Sequence, residues 1–308
     1  MAIGRSGNIW CMAADTSSPR RPAAHRLAQR VEGLASLDGP AEAVAGAFRG
    51  AVKPGRVKDV LSGSWLGHAL HPLLTDVPIG AWTSATLLDV LGRDDDRSAA
   101  KRLVAVGIAS AVPTAVSGMS DWSDTTLADP ASRRVGAVHA VANVMALGLY
   151  AASWGARRSG DHGRGVRLGL AGAAALGAGG FLGGHLSYAR GVGVDQTIFE
   201  APVEEWADVA ADAELAEGEL QAGRAGGEDV VVARVGGELF ALADRCSHRC
   251  GPLHEGKLLD GCVECPWHAS RFRLSDGSVE RGPATFPQPA YETRVRDGRV
   301  EVRSSSHR

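Results

Sequence analysis

The chain has 308 residues, enough for roughly two domains. Its formal net charge of −2 supplies no overall basic field, which argues against a nucleic-acid partner. Of the five cysteines, Cys11 stands alone and Cys246, Cys250, Cys262 and Cys265 cluster near the C-terminus. An odd number so distributed does not read as a secreted disulfide framework; it points to metal ligation with extra thiols nearby.

Residues 1–30 are rich in Ala, Arg, Pro and Ser and are expected to form an unstructured tail. The first residues lack the apolar run of a signal peptide, and no hydrophobic stretch lies within reach of the Arg20–Arg21 pair, so the pair reads as a feature of the tail. Residues 27–49 mix Leu, Val and Ala with charges and suit an amphipathic helix, for a membrane surface or for packing. Residues 1–60 thus read as a tail plus an amphipathic segment.

Four apolar segments follow within 61–190: Pro72–Leu91, Leu103–Met119, Val135–Trp154 and Val166–Leu186. Each has about 17–21 residues, close to the length a bilayer core demands of a helix. The segments between them, GRDDDRSAAKR, SDWSDTTLADPASRR and GARRSGDHGRG, are short, charged and turn-rich. Residues 72–188 are dense in Ala, Gly, Leu and Val, as closely packed membrane helices allow. Residues 191–201 read as a linker.

Residues 202–304 change character. Val230–Val235 and Glu238–Asp244 flank Gly236–Gly237, and Tyr291–Val295 and Arg299–Val302 flank Asp297–Gly298; both are hairpin signals. The expected architecture is multi-domain, a four-transmembrane-helix α bundle plus an all-β module.

That module contains Cys246-Ser-His248, a gap over 249–264, and Cys265-Pro-Trp-His268. Each half-site fits one tight loop and offers one thiolate and one imidazole. Two thiolates on one iron and two neutral imidazoles on the other give a [2Fe–2S] centre of reduced negative charge, hence of higher potential than an all-Cys cluster. Gly251–Pro252 and Pro266 stiffen the loops, and Gly282-Pro283-Ala284 is placed to supply a third covering loop. Two Cys and two His also suit a tetrahedral zinc ion, although Cys-x-His is an unusual zinc half-site.

The run CSHRCGPLHEGKLLDGCVECPWHASRFRLSDGS resembles the Rieske family nearly end to end, and the resemblance covers about 202–303. It implies an all-β Rieske domain with Cys246, His248, Cys265 and His268 as metal ligands and Ser270, Phe272, Pro266 and Pro283 around the cluster. Several positions depart from the family pattern. Trp267 occupies the place of the second bridge cysteine of cytochrome-complex members, and Cys250 and Cys262 are not at bridge positions. Ser270 matches a hydroxyl that bonds a bridging sulfide, Phe272 replaces the matching Tyr, and Ala269 stands where ferredoxin-like members usually carry Gly. The resemblance therefore implies a potential below that of cytochrome-complex centres. His254, between the half-sites, reads as a solvated loop histidine.

Alternating spans bring His68, His71, Asp76, Asp121, Trp122, His139 and His185 toward one membrane face, from which the linker also leaves. Ionisable side chains at such depth are costly and usually functional. The run Gly67-His68-Ala69-Leu70-His71-Pro72 resembles the signature of an uncharacterised bacterial four-helix membrane-domain family. His139 and His185 are expected to face one another across spans three and four, as a haem b pair, a quinone site or packing histidines.

No further soluble domain offers a 2-His-1-carboxylate iron site, so no substrate-converting site is evident. The reading is a membrane-bound Rieske electron-transfer protein that exchanges single electrons with a quinone, a membrane haem or a redox partner protein. A membrane-tethered ferredoxin supplying a separate oxygenase or reductase, and a redox sensor, are the alternatives. The protein is expected in the lipid bilayer of the cell membrane. The loop cations slightly favour an external cluster. The lack of an export signal favours a cytoplasmic Rieske domain, which is the orientation adopted.

Overall fold

The structure, a computed structural model, describes residues 22–305, without the side chains of 126–128. Cys11 and the Arg20–Arg21 pair lie outside the described residues.

Among the described residues seven α-helices come first: α1 (Ala23–Glu32), α2 (Asp38–Ala51), α3 (Arg56–Ser62), α4 (Leu70–Leu91), α5 (Arg97–Ala128), α6 (Pro130–Arg158) and α7 (His162–Tyr188). The segment expected as one amphipathic helix is two helices, α1 and α2, broken at Gly33–Leu34. Their buried alanines, Ala28, Ala41 and Ala45, pack them onto α6 and α5. Arg134 of α6 fixes the break, donating to both carboxylate oxygens of Asp38 and to Glu32 O. Its hydrogen bond holds the Asp38 carboxyl below the usual range. The helical body thus begins in the segment read as a tail.

The four expected spans are helices, α4 to α7, packed in one bundle, but among the described residues three, not four, meet the expectation of a membrane span. Three helical segments, Asp94–Thr125, Pro130–Arg158 and His162–Tyr188, are long and apolar enough to cross a membrane. The first of the four, α4, has 22 residues, about 33 Å of helix, but Asp76 and Asp89 lower its apolar character. Asp89 is not free: it forms a buried ion pair with Arg157 of α6. Small residues set the helix spacing. A Cβ on Gly107 of α5 would fall 2.2 Å from Trp82 Nε1 of α4, so only glycine admits the indole, which stacks on Tyr150 with ring centroids 4.2 Å apart. Asp129 accepts from the Ala131 N–H and, with Pro130 at the first helical position, starts α6.

Ten strands follow: β1 (Ala207–Ala211), β2 (Leu220–Ala225), β3 (Glu228–Val235), β4 (Glu238–Ala243), β5 (Lys257–Leu259), β6 (Cys262–Glu264), β7 (Arg271–Arg273), β8 (Val279–Arg281), β9 (Ala290–Arg296) and β10 (Arg299–Ser304). An antiparallel six-stranded sheet has the order β1-β10-β9-β4-β3-β2, and a four-stranded sheet has the order β5-β6-β7-β8. Both expected hairpins are present, β3–β4 and β9–β10. Their turns carry positive φ at Gly236 and Gly237 and at Asp297 and Gly298, the paired left-handed geometry that matches strand twist. Alternate residues of β3 fill two cores. Val230 and Val232 face one with Val300 and Val302, while Val231 and Ala233 face another with Cys246, Leu253, Cys265 and Phe272.

Candidate metal centre

The small sheet exists to carry loops. One ligand loop joins β4 to β5 and bears Cys246 and His248; the other joins β6 to β7 and bears Cys265 and His268. The two are built alike. In each, two backbone N–H groups donate to the thiol sulfur: those of His248 and Arg249 to Cys246, and those of Trp267 and His268 to Cys265. The two thiols are in hydrogen-bonding contact. That contact and burial push Cys246 well up, and the same contact draws Cys265 down. The imidazoles of His248 and His268 lie side by side, centroids 5.0 Å apart at 89°. Burial holds both below the ordinary histidine value, in the neutral form that binds metal.

His248 Nδ1 is buried and has no protein hydrogen-bond partner. A buried nitrogen so placed costs free energy unless something occupies its lone pair. Among the described residues no group of three His, Cys, Asp or Glu converges as a single ion would require. Two thiols together and two imidazoles together, by contrast, are what two irons bridged by sulfides need. A Cβ on Gly251 would lie 2.7 Å from Cys265 Sγ and 3.2 Å from the Trp267 ring, so glycine is required where the loops meet. The donor set fits a [2Fe–2S] centre.

The surrounding residues have distinct places. Ser270 is fully buried, and its Oγ accepts from the Ala284 N–H at 3.0 Å, which leaves its own O–H to donate. Phe272 is fully buried in the core beneath the thiols. Pro283 is buried in the third loop, whereas Pro266 is exposed at the loop tip. Ala269 has a φ of 61°, the left-handed conformation that favours glycine. Cys250 and Cys262 are free thiols. His254, expected in solvent, is tied to Asp244: its ring Nδ1 lies 2.7 Å and its backbone N 2.8 Å from the carboxylate oxygens.

Sequence reasoning missed several residues that build the site. Gln288, 1% exposed, donates to Ala243 O and Arg245 O and accepts from the Ser247 N–H, clamping the first ligand loop from the third. The helical domain is the other omission. His268 Nε2 donates to Asp124 O of α5 at 3.0 Å, and Asp59 of α3 accepts from the Gly282 N–H at 2.9 Å. Lys58 forms a buried ion pair with Asp124 at 2.8 Å and donates to Ser120. The linker is tied in as well, with Gln196 N–H donating to Ser247 O. No local pattern marks these residues, because their partners lie 41 to 223 positions away.

The expected His139–His185 pair does not form. His139 faces Gly179 and Gly183 of α7, and its ring neighbour is His71 of α4, with centroids 6.4 Å apart. His185 is two residues beyond Gly183, about 200° around the helix, and turns instead to α1, where its Nε2 lies 2.8 Å from Glu32 Oε1.

Comparison with known proteins agrees with this division. Residues 205–292 match the Rieske [2Fe-2S] domain family, and residues 67–196 match the family described as Predicted membrane protein (DUF2231). The anthranilate 1,2-dioxygenase ferredoxin subunit of Burkholderia cepacia is 43% identical over 103 residues, covering 33% of this chain and 95% of the relative. Ferredoxin CarAc of Metapseudomonas resinovorans is 33% identical over 98 residues, covering 32% and 92%. Among solved structures, the ferredoxin of carbazole 1,9a-dioxygenase from Nocardioides aromaticivorans IC177 is 28% identical, covers 33% of this chain and 100% of its own, and has a TM-score of 0.32. The chain belongs to the Rieske [2Fe–2S] family, and a predicted membrane domain precedes its Rieske domain.

Proposed function

We propose that Cys246 and Cys265 hold one iron and His248 and His268 the other, and that the protein is a membrane-bound carrier of single electrons. One observation carries the choice of route: the imidazole edge of the centre is pressed against the chain's own helical domain, with His268 Nε2–H on Asp124 O at 3.0 Å. Electrons entering or leaving by that edge meet α5 before any outside protein. Beside it, a cavity of about 280 Å³ lined by Arg49, Lys58, Asp124, Trp267 and His268 gives a small redox partner such as a quinone head a way to the same edge. The cell membrane, with the Rieske domain on the cytoplasmic side, is the location this reading adopts.

The ligand assignment is tested by electron paramagnetic resonance on the reduced, detergent-purified full chain. A rhombic signal of a mixed Cys/His [2Fe–2S] centre is expected, abolished or transformed in His248→Cys and His268→Ala. One zinc per chain and no iron, in protein made with ample iron, would overturn it.

A second reading rests on a relative, 43% identical over 103 residues, that is named as a dioxygenase ferredoxin subunit. There the centre would supply a separate oxygenase, and the Rieske domain would have to leave its seat on α3 and α5 first. Lys58→Met, which loosens that seat, should speed reduction of an external acceptor protein under this reading. It should slow exchange with a membrane-domain acceptor under the first.

A further inference from the structure

The centre of the bundle holds a second pair of imidazoles. α5 and α7 pack on either side of α4 and α6, which therefore lie on a diagonal. His71, in the first turn of α4, and His139 of α6 meet across that diagonal with ring centroids 6.4 Å apart and planes at 87°. Each ring has one nitrogen committed: His71 Nδ1 lies 2.9 Å from Thr114 O of α5, and His139 Nδ1 lies 2.8 Å from Gly179 O of α7. A carbonyl only accepts, so both Nδ1 atoms carry the proton and both Nε2 atoms present a lone pair. This is the arrangement of metal-ligating histidines, whose second nitrogen is normally held by a backbone carbonyl. Asn143 Nδ2 lies 3.3 and 3.2 Å from the two nitrogens of His139. Being equidistant from both, it is off the direction of the Nε2 lone pair.

The separation also matches. A metal–imidazole bond is about 2 Å, so with the ring radii added, two imidazoles on opposite sides of one ion have centroids about 6 Å apart. Among the described residues no third His, Cys, Asp or Glu joins the pair to complete an ion's shell. A haem supplies four equatorial nitrogens of its own and asks the protein for axial ligands only. We infer that His71 and His139 are the axial ligands of a b-type haem in the helical domain, an inference that deepens the electron-carrier reading and rests on it for its role. Glycines hold the rings in place. A Cβ on Gly118 of α5 would lie 2.5 Å from His71 Cε1, and one on Gly183 of α7 would lie 3.1 Å from His139 Cε1. The site is also near the cluster. Gly118 and Asp124 are six residues apart on α5, about 9 Å of helix, and Asp124 O touches His268. One electron leaving the reduced cluster is gained by ferric haem iron, with no bond formed or broken.

The full chain, made in haem-replete cells and purified in detergent, is examined by reduced-minus-oxidised optical spectra, a pyridine haemochrome assay and cluster resonance. A six-coordinate low-spin haem b at about one per chain is expected. His71→Ala and His139→Ala should each lose it while keeping the cluster signal, and His185→Ala should keep both. His139→Met, which retains an axial ligand and about the same bulk, should keep haem with a changed spectrum, which separates ligation from folding. Cluster signal without haem, even after added haemin, overturns this inference and leaves the carrier reading standing. Haem retained in both alanine variants overturns the assignment to this pair. Haem lost in those two alone, in protein with no cluster signal, supports the pair and defeats the cluster reading.

Discussion

Replacing Ser270 with alanine separates two jobs of one hydroxyl. Its Oγ accepts the Ala284 N–H at 3.0 Å in a fully buried position, so its own hydrogen remains to donate to a cluster sulfide. A hydrogen bond to a charged acceptor contributes about 1.5–3 kcal/mol. Only its gain on going from the oxidised to the more negative reduced centre acts on the potential, and about half of the bond is a fair share, near 1 kcal/mol. For a one-electron couple, 59 mV corresponds to a tenfold change, so Ser270→Ala should lower the potential by about 40–60 mV. The substitution also strands the buried Ala284 N–H, which should cost about 1–3 kcal/mol of stability. A resonance-monitored redox titration reads the first effect and thermal melting of the same preparation reads the second. A lowered melting point with an unchanged potential would refute the donation to the cluster while leaving the Ala284 bond intact.

Three further substitutions test the setting of the site. Lys58→Met leaves the Asp124 carboxylate buried without its cation; breaking such a pair should cost about 3–5 kcal/mol, read by thermal melting, and a loss below about 1 kcal/mol would mean that Asp124 finds water. Ala269→Gly relieves a left-handed φ of 61° at the price of a looser unfolded chain, for a net gain of about 0.5–1 kcal/mol by the same assay; a loss would show that the methyl packs usefully. Burial pushes the Asp129 carboxyl up, but its bonds to Ser132 and Arg190 bring it below the ordinary range overall. Because the folded value is depressed, the stabilisation is complete above the ordinary carboxyl pKa, about 4, and is lost as pH falls through the folded value. Asp129→Asn should therefore be less stable than the parent at neutral pH by about 1 kcal/mol and converge with it in acid melts. Parallel melting curves across that pH window would count against the depressed value.

The local signals were the most readable. Cys-Ser-His and Cys-Pro-Trp-His each place two ligands within one turn of chain, so a short motif already fixes one half of the centre. Gly236–Gly237 and Asp297–Gly298 likewise marked their hairpins, because two adjacent left-handed residues are needed and few residue types allow them. The four apolar segments were legible from length and composition. The amphipathic segment was legible as helical but not as two helices, since the break at Gly33–Leu34 is set by Arg134 reaching Asp38 from across the fold.

The amino-acid sequence by itself determined the division of the chain and the chemistry within it: which stretches are apolar helices, where the β module and its two hairpins lie, where the thiols and imidazoles stand, and that an iron–sulfur centre is what they suit. Tertiary structure alone decided which distant groups meet. It paired His139 with His71 instead of His185, because a residue two places from Gly183 points to the other side of α7. It set Gln288 under the first ligand loop, and it seated His268 on Asp124 O with Lys58 alongside. The physical reason is range. Backbone preferences and motif spacing act over a few residues, whereas the rotation of a helix about its axis and the docking of one domain on another are settled by packing summed over the whole chain.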